Sequence, residues 1–298
     1  MRRPCARENL RHAAKEASMN TPARNWLITG ISRGLGRALA EAALARGDTV
    51  IGTTRSGRAD LPDSQRLHIL ALDVSDPEQI RPVLRQAEWL CPRLDVLVNN
   101  AGYGLLGAVE EVSTPETYEM FATNFFGAYH LIQEVLPRLR AQRSGHIVNI
   151  SSIAALAPLA GSGLYAASKA ALEGMSESLA AELAPLGVRV SIVEPGGLRT
   201  GFASAQSLHI AAHEIADYDQ SSGQTVRHFS TVDGQQPGDP ELAAQAILEL
   251  VDAPQPPLRL LLGSDALRRA RIKLAQLAGD IDRWERLTRS TDYAAATA

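Results

Sequence analysis

Residues 25–36 read NWLITGISRGLG, an apolar run followed by a glycine-rich loop. The apolar run Asn25–Thr29 predicts a strand, which leads directly into the glycine loop Gly30–Gly36. Glycine permits a tight turn, and the helix predicted to follow presents free N–H groups at its N-terminus. The stretch therefore predicts a cradle for a pyrophosphate, lined by Gly30, Ser32, Arg33, Gly34, Leu35 and Gly36.

The next predicted strand, residues 48–54, closes a βαβ unit of about 30 residues. An acidic residue at its end would bind the ribose 2′-hydroxyl of NAD, but here Thr54 is followed by Arg55. Arg33, within reach of the same ribose, adds a second guanidinium, and two such groups suit a 2′-phosphate. We therefore predict NADP as the cofactor, with NADPH preferred over NADH. The alternative is that both arginines are ordinary surface residues.

Further strands are predicted at residues 67–72 and 94–98, and each ends in residues suited to a nucleotide. Asp73 could hydrogen-bond an adenine amino group or cap the helix that begins near residues 76–77. Small residues after the fourth strand leave room for a ribose. The predicted cofactor contacts in these two segments are Asp73, Val74, Asn100, Ala101 and Gly102.

A hydroxyl, a phenol and an ammonium occur at defined spacing in residues 152–169, SIAALAPLAGSGLYAASK. Tyr165 and Lys169 lie four residues apart, so a helix places them on one face, one turn apart. Ser152 follows a predicted fifth strand, residues 146–150. A neighbouring cation favours the phenolate, which suits tyrosine for proton transfer. The alternative is a chance i, i+4 pair on an ordinary helix.

Asn124 lies within a long helix predicted over residues 116–140, where asparagine is unfavourable because its amide competes for backbone hydrogen bonds. A buried amide at this position could hold a water for a proton relay. A sixth strand, residues 188–193, is followed by Pro195, Gly196 and Thr200, which we expect to contact the cofactor.

The last third of the chain is less regular. Residues 202–239 lose periodicity and predict a substrate lid, in which His209, His213 and His228 are expected on the surface. A helix over residues 240–251, a seventh strand over 258–262 and a basic amphipathic helix over 266–287, broken near Gly279, complete the fold.

Composition excludes several classes of protein. The chain has 298 residues and a net charge of −3, which leaves no basic footprint for nucleic acid. Cys5 and Cys91 lack metal-ligand spacing, so no metal is expected. No apolar run reaches a membrane-spanning length, which favours a soluble cytoplasmic protein.

The sequence predicts a single domain over residues 25–298, preceded by a disordered extension over residues 1–24. One alternative is that the extension is a basic targeting peptide. The other is that it follows from an upstream start codon and that the protein begins at Met19.

Six motifs occur in order: T-G-x-x-x-G-x-G at 29–36, N-N-A-G at 99–102, Asn124, Ser152, Y-x-x-x-K at 165–169 and P-G at 195–196. Together they resemble the single-domain form of the short-chain dehydrogenase/reductase family. The resemblance implies an α/β fold, a doubly wound parallel seven-stranded sheet with helices on both faces. It also implies a catalytic tetrad of Asn124, Ser152, Tyr165 and Lys169.

In that tetrad, Tyr165 transfers a proton to or from the substrate oxygen, and Ser152 hydrogen-bonds the same oxygen. Lys169 holds the nicotinamide ribose and lowers the phenol pKa, so Tyr165 and Lys169 also count as cofactor contacts. Asn124 anchors a water that links Lys169 to solvent.

The resemblance further implies hydride transfer between the cofactor and a carbonyl or secondary alcohol, within a homodimer or homotetramer that pairs through the helices carrying Asn124 and Tyr165. The long segment 202–239 and the basic tail resemble members that act on bulky apolar substrates. Two alternatives stay open: a non-catalytic NADP-binding redox sensor, and an epimerase or dehydratase that uses the same tyrosine and lysine.

Overall fold

The computed structural model describes residues 22–204 and 206–293. The predicted disordered extension lies almost entirely outside these residues. Within them, the seven predicted strands form one parallel sheet in the order β3-β2-β1-β4-β6-β7-β9. Its strands are β1 Asn25–Thr29, β2 Thr49–Thr54, β3 Leu67–Ala71, β4 Val96–Asn99, β6 Gly145–Ile150, β7 Val188–Pro195 and β9 Arg259–Leu262.

Helices cover both faces of the sheet, as the prediction of a doubly wound fold requires. The helices are α1 Gly34–Arg46, α2 Pro77–Leu90, α3 Thr114–Phe121, α4 Gly127–Gln142, α5 Ile153–Leu156, α6 Gly163–Leu183, α7 Gln224–Thr231, α8 Pro240–Asp252 and α9 Ser264–Arg289. Short 3₁₀ turns occupy Ala184–Leu186 and Ala216–Tyr218, and π-helical turns occupy Ala122–Phe126 and Asp219–Gly223.

Alternating strand residues supply two separate cores. Trp26 and Ile28 of β1 pack with α1 and α8 on one face of the sheet. Leu27, between them, packs with α2, α4 and α6 on the other face. This division follows from the two-residue period of a strand, whose successive side chains point to opposite faces.

The strand order reverses between β1 and β4. Strands β2 and β3 extend the sheet on one side of β1, whereas β4, β6, β7 and β9 extend it on the other. The connections from the carboxyl ends of β1 and β4 therefore diverge to opposite faces and leave a crevice between them. Ligands of open α/β sheets bind at such a reversal.

The predicted long helix around Asn124 is present but is not uniform. A π-helical turn, Ala122–Phe126, separates α3 from α4 and contains Asn124. Such turns insert one extra residue into a helix and are frequent at functional sites. The predicted break at Gly279 is wrong: α9 runs through that residue without interruption, because an exposed glycine costs a helix only about 1 kcal/mol relative to alanine.

The segment 202–239 contains more regular structure than the sequence predicts. Strand β8, Leu208–Ile210, pairs with β5, Gly104–Leu106, in a second sheet of two parallel strands. Helix α7 follows within the same segment. Three-residue strands are too short to produce a readable period, which explains why the sequence did not reveal β5 or β8.

Among the helices of the described part of the chain, none combines the length and apolar character that a bilayer span requires.

Candidate active site

The ends of β1 and β4 are joined by hydrogen bonds at the strand reversal. The Thr29 hydroxyl oxygen accepts from the backbone N–H groups of Asn100 and Ala101, each at 3.0 Å. The Asn100 amide in turn donates to the carbonyl oxygens of Thr29 at 2.8 Å and Gly30 at 3.0 Å. These bonds hold the glycine loop against the Asn100–Gly102 segment, so the two predicted cofactor motifs form one surface.

The glycine loop has the conformation that a phosphate cradle needs. Gly30 and Gly34 have φ angles of +74° and +63°, a region that residues with a Cβ rarely adopt. Arg33 is the N-cap of α1, but its side chain makes no capping hydrogen bond to the helix. The first N–H groups of α1 therefore receive no side-chain cap, and such groups bind anions at helix N-termini. These residues fit the pyrophosphate of a dinucleotide.

A cavity of about 1030 Å³ opens at this edge of the sheet. Nearly all of the predicted site residues line it: Gly30, Ser32, Arg33, Gly34, Leu35, Arg55, Asp73, Val74, Asn100, Ala101, Gly102, Ser152, Tyr165, Lys169, Pro195, Gly196 and Thr200. Gly36 and Asn124 are the exceptions. Gly36 lies beneath the loop, where a Cβ would overlap the Asn100 amide and the Gly30 carbonyl, and Asn124 is buried behind the wall.

Tyr165 and Ser152 meet inside this cavity. Ser152 is the N-cap of α5, and its hydroxyl accepts from the Ala154 N–H at 3.1 Å. Burial raises the pKa of Tyr165 to about 12, although a hydrogen bond to Ser152 opposes the rise. The phenol is therefore protonated at neutral pH. The lowering of the phenol pKa by Lys169, which the resemblance implies, stays a prediction.

Lys169 is buried one helical turn beyond Tyr165. Its ammonium donates to the Ile150 carbonyl at 2.9 Å. Burial lowers the pKa of Lys169 to about 8, while the negative charge of Glu173 raises it. A Cβ on Gly102 would lie 3.2 Å from the Lys169 ammonium nitrogen, so glycine keeps this part of the cavity open.

Asn124 supports the cavity wall through three hydrogen bonds. Its side-chain oxygen accepts from the Tyr103 N–H at 3.0 Å. Its side-chain nitrogen donates to the Tyr103 carbonyl at 2.9 Å and to the Ser168 hydroxyl at 3.1 Å. Both amide hydrogens thus have protein acceptors, and the side chain holds Tyr103 in place. The water relay expected of Asn124 stays a prediction.

Sequence reasoning missed a charged cluster directly behind Lys169. The buried Glu173 accepts from the Ser151 hydroxyl at 2.6 Å and from Arg259 at 2.6 Å. Arg259 also donates to Glu194 at 2.5 Å and to Glu177 at 2.8 Å. The i, i+4 spacing of Lys169 and Glu173 on one helix was a readable signal that Glu173 lies next to Lys169. The partnership with Arg259, 86 residues away in the chain, was not readable.

The two arginines predicted at the ribose have different surroundings. Arg55 is exposed at the end of β2 and lines the cavity. Arg33 reaches across to the segment 202–239, where it donates to the Ser207 hydroxyl at 2.9 Å and to the Gln206 carbonyl at 2.8 Å. The Asp73 carboxylate accepts a hydrogen bond from the Ser75 N–H, whereas Asp76 is the residue that caps α2. The alternative that Asp73 caps this helix is therefore wrong.

Several residues of the segment 202–239 line the cavity. The Phe202 ring lies 6.2 Å from the Tyr165 ring, and the His209 ring lies 4.8 Å from the Tyr103 ring. His209, His213 and His228 are exposed, as predicted. Within the part of the chain that the structure describes, no group of three or more His, Cys, Asp or Glu side chains could hold a metal ion.

Comparison with known proteins agrees with this geometry. A family model described as short chain dehydrogenase matches residues 24–210. Oxidoreductase BOA17 of Botryotinia fuckeliana (strain B05.10) is 34% identical over 268 residues, which cover 88% of this chain and 97% of that protein. A short-chain dehydrogenase structure from Streptomyces avermitilis is 41% identical, with a TM-score of 0.83, over 92% of this chain and 100% of that chain.

A structure of ElxO with NADP bound is 27% identical, with a TM-score of 0.68, and covers 83% of this chain and 100% of that chain. The matched family region contains the glycine loop, the strand reversal and the Tyr165–Lys169 pair. This chain belongs to the short-chain dehydrogenase/reductase family of oxidoreductases.

Proposed function

We propose that this chain is an NADP-dependent oxidoreductase that interconverts a carbonyl compound and a secondary alcohol, and that its substrate is bulky and apolar. The observation that carries the proposal is that Ser152, Tyr165 and Lys169 line the same cavity as the glycine loop. A nicotinamide, when bound, supplies or accepts a hydride.

The chain's own residues perform the proton chemistry in this proposal. Tyr165 is protonated at neutral pH, because its pKa is about 12, and it donates that proton to the oxygen of a carbonyl under reduction. Ser152 hydrogen-bonds the same oxygen and fixes its position. In the reverse direction, the phenol of Tyr165 must first lose its proton to solvent, and the resulting phenolate accepts the proton of the alcohol.

Residues at the opposite end of the cavity support the cofactor assignment. The glycine loop and the N-terminus of α1 hold the pyrophosphate, and Lys169 holds the ribose next to the nicotinamide. Arg55 supports NADP over NAD, because its guanidinium follows Thr54 at the position where an NAD-binding protein of this fold carries a carboxylate.

The size and lining of the cavity support a bulky apolar substrate. Its volume of about 1030 Å³ exceeds that of a small polar metabolite and leaves room beside a dinucleotide. Large apolar side chains line the cavity together with polar ones such as Glu119, His209 and His228; the apolar set is Leu106, Ile153, Leu159, Phe202, Leu208, Phe229 and Val232.

The test is oxidation of NADPH and NADH with a panel of ketones and aldehydes graded by size and polarity. Tyr165→Phe removes the proton donor and should lower turnover by about 10²- to 10⁴-fold, the usual contribution of a general acid. The dissociation constant for NADPH, measured by calorimetry, should change little.

Tyr129→Phe is the matched control, because Tyr129 lies on α4 against Phe125 and does not line the cavity. It should keep its activity. If Tyr165→Phe retains most of its turnover, Tyr165 does not transfer the proton. If NADPH binds tightly but no carbonyl in the panel reacts, the sensor alternative gains support.

A further inference from the structure

Helix α9 extends beyond the body of the protein. Its first turns are anchored, because Ala266 and Ala270 are buried against Ile153, Leu156 and Leu261. From Leu274 to the end of the helix at Arg289, every residue is exposed. These sixteen residues span roughly 24 Å at 1.5 Å per residue, and none of them is buried.

The exposed part of α9 carries a regular apolar stripe. We define the α9 stripe as Leu274, Leu277, Ile281 and Trp284, which continue the spacing of the buried Ala270 at intervals of four, three, four and three. This spacing is the heptad pattern with apolar a and d positions. Ile281 is 69% exposed and Trp284 is 58% exposed. Soluble proteins rarely leave a contiguous apolar surface of this kind without a partner.

Charged residues flank the α9 stripe at the positions that set the orientation of paired helices. Arg271 and Glu285 occupy e positions, and Lys273 and Asp280 occupy g positions of the same heptads. Parallel pairing of two copies brings g and e positions together and places Asp280 next to the partner copy's residue at 285, another carboxylate. That arrangement is repulsive.

Antiparallel pairing brings e positions to e positions and g positions to g positions. In the antiparallel register that aligns the two stripes, Arg271 lies next to the carboxylate at position 285 of the other copy, and a two-fold axis repeats this attraction. The g flank brings the two Asp280 side chains together, which is one like-charge contact against two attractions. The charges that flank the α9 stripe therefore favour the antiparallel orientation, because parallel pairing makes two carboxylate–carboxylate contacts and neither attraction.

We propose that the α9 stripe binds the same stripe of a second copy of this chain, with the two helices antiparallel. The contact is separate from the helices carrying Asn124 and Tyr165, through which the family resemblance implies pairing. It does not depend on the proposed substrate or cofactor, because none of the stripe residues lines the cavity.

The first test is the mass of the full chain in solution, measured by sedimentation and light scattering. Ile281→Asp places a charge in the stripe and should halve the mass, or raise the dissociation constant at least tenfold. Ile272→Asp is the matched control, because Ile272 is 53% exposed on the same helix but lies outside the stripe. An unchanged mass for Ile281→Asp, or a monomeric parent protein, overturns the proposal.

The second test reverses charges to examine orientation. Glu285→Arg replaces both attractions of the e flank with contacts between positive charges and should weaken association, whereas the double variant Arg271→Glu with Glu285→Arg should restore it. Failure of the double variant to restore association, although the single variant weakens it, overturns the antiparallel arrangement.

A lipid surface is the competing occupant, since interfacial helices also combine Trp and Leu with arginine. Cosedimentation with vesicles of phosphatidylcholine and phosphatidylserine examines it. Vesicle binding that Ile281→Asp abolishes, with no change in mass in the absence of vesicles, overturns the proposal.

Discussion

The charge on Lys169 depends on the carboxylate one helical turn away. Burial favours the neutral amine and lowers the lysine pKa to about 8, so at neutral pH only a modest margin keeps the ammonium protonated. Glu173 acts in the opposite direction, and Ser151 and Arg259 hold its two oxygens in place. The Ser151–Glu173 contact therefore positions the charge that maintains the lysine in its cationic form.

We expect Glu173→Gln to lower the pKa of Lys169 below about 8, because the substitution removes a negative charge and keeps the side-chain shape. The chain contains only three lysines, Lys15, Lys169 and Lys273. A carbon NMR titration of lysine-labelled protein therefore resolves Lys169 directly, and it needs no substrate.

Glu177→Gln is the matched control, because Glu177 also pairs with Arg259 but lies a turn farther from Lys169 on α6. It should leave the lysine pKa nearly unchanged. Equal shifts in the two variants would mean that the whole cluster acts on Lys169, not Glu173 in particular.

We expect cofactor selection to depend mainly on Arg55. Arg55→Ala should weaken NADPH binding by about 1.5–3 kcal/mol, the range for a hydrogen bond to a charged group, which is roughly 10- to 150-fold in the dissociation constant. NADH binding should change little. Calorimetric titration with both cofactors measures the difference.

Arg58→Ala is the control, since Arg58 is exposed in the same connection but does not line the cavity. An equal loss of affinity for NADPH and NADH in Arg55→Ala would exclude a contact with the 2′-phosphate.

At the level of single residues, the sequence predicted the site well wherever a local motif carried it. Tyr165 and Lys169 were readable because their spacing matches one helical turn. Thr29, which joins the ends of β1 and β4, and Arg259, which completes the cluster around Glu173, were not. Both residues form hydrogen bonds with partners far away in the chain, and a local sequence pattern does not predict such long-range contacts.

At the scale of elements, two helical glycines have opposite surroundings. Gly127 begins α4 where the helix passes close to the end of β3, and a Cβ there would lie 2.8 Å from the Val74 carbonyl oxygen and 2.9 Å from its Cβ. Gly174 lies on α6, where an added Cβ would meet no atom of another element within 4 Å. The first glycine is required by packing, and the second is not.

We expect Gly127→Ala to destabilise the protein by about 1–3 kcal/mol, as overpacking does. Gly174→Ala should stabilise it by roughly 0.5–1 kcal/mol, because alanine loses less conformational freedom in a helix. Urea denaturation of the two variants beside the parent protein measures both changes. Equal effects of the same sign would contradict the packing argument at Gly127.

Long elements with a clear period were predicted to within a few residues, and short ones were not. The helix predicted over residues 240–251 is present as Pro240–Asp252. The π-helical turn around Asn124 was not predicted. An asparagine inside a helix indicates an unusual position, but it does not specify the hydrogen-bonding pattern of the backbone there. Strand β8 exists because Leu208 is buried beside Gly104, a tertiary contact that three residues of sequence cannot encode.

At the scale of the molecule, Arg33 connects the cofactor loop to the segment 202–239. Its two hydrogen bonds, to Ser207 and Gln206, join the N-terminus of α1 to the part of the chain that borders the cavity. The conformations of these two regions are therefore coupled through one side chain.

Arg33→Ala should make the segment 202–239 open more often. Each hydrogen bond contributes about 1 kcal/mol, and a loss of about one to two kcal/mol changes an opening equilibrium roughly 5- to 30-fold. Trypsin cleavage at Arg199 or Arg227, followed by mass spectrometry, should accelerate accordingly. Arg37→Ala, which removes an exposed pair with Glu41 on the same helix, is the control and should not change the cleavage rate.

The overall topology was predictable because alternating strand and helix patterns leave few arrangements for a parallel sheet. The β1–α1–β2 unit alone indicated the fold class, and the later strands followed in the expected order. The protrusion of α9 was not predictable, since an amphipathic pattern does not reveal whether its apolar face meets the same chain or another molecule.

The reversal of strand order between β1 and β4 also governs the course of synthesis on the ribosome. The first four strands of the sheet, β3-β2-β1-β4, are complete once Asn99 has emerged, whereas β6 ends about 50 residues later, at Ile150. At 5–20 residues per second, the edge of β4 stays unpaired for roughly 3–10 s. The nascent chain therefore exposes a hydrophobic strand edge for seconds, which makes this intermediate a natural substrate for chaperones.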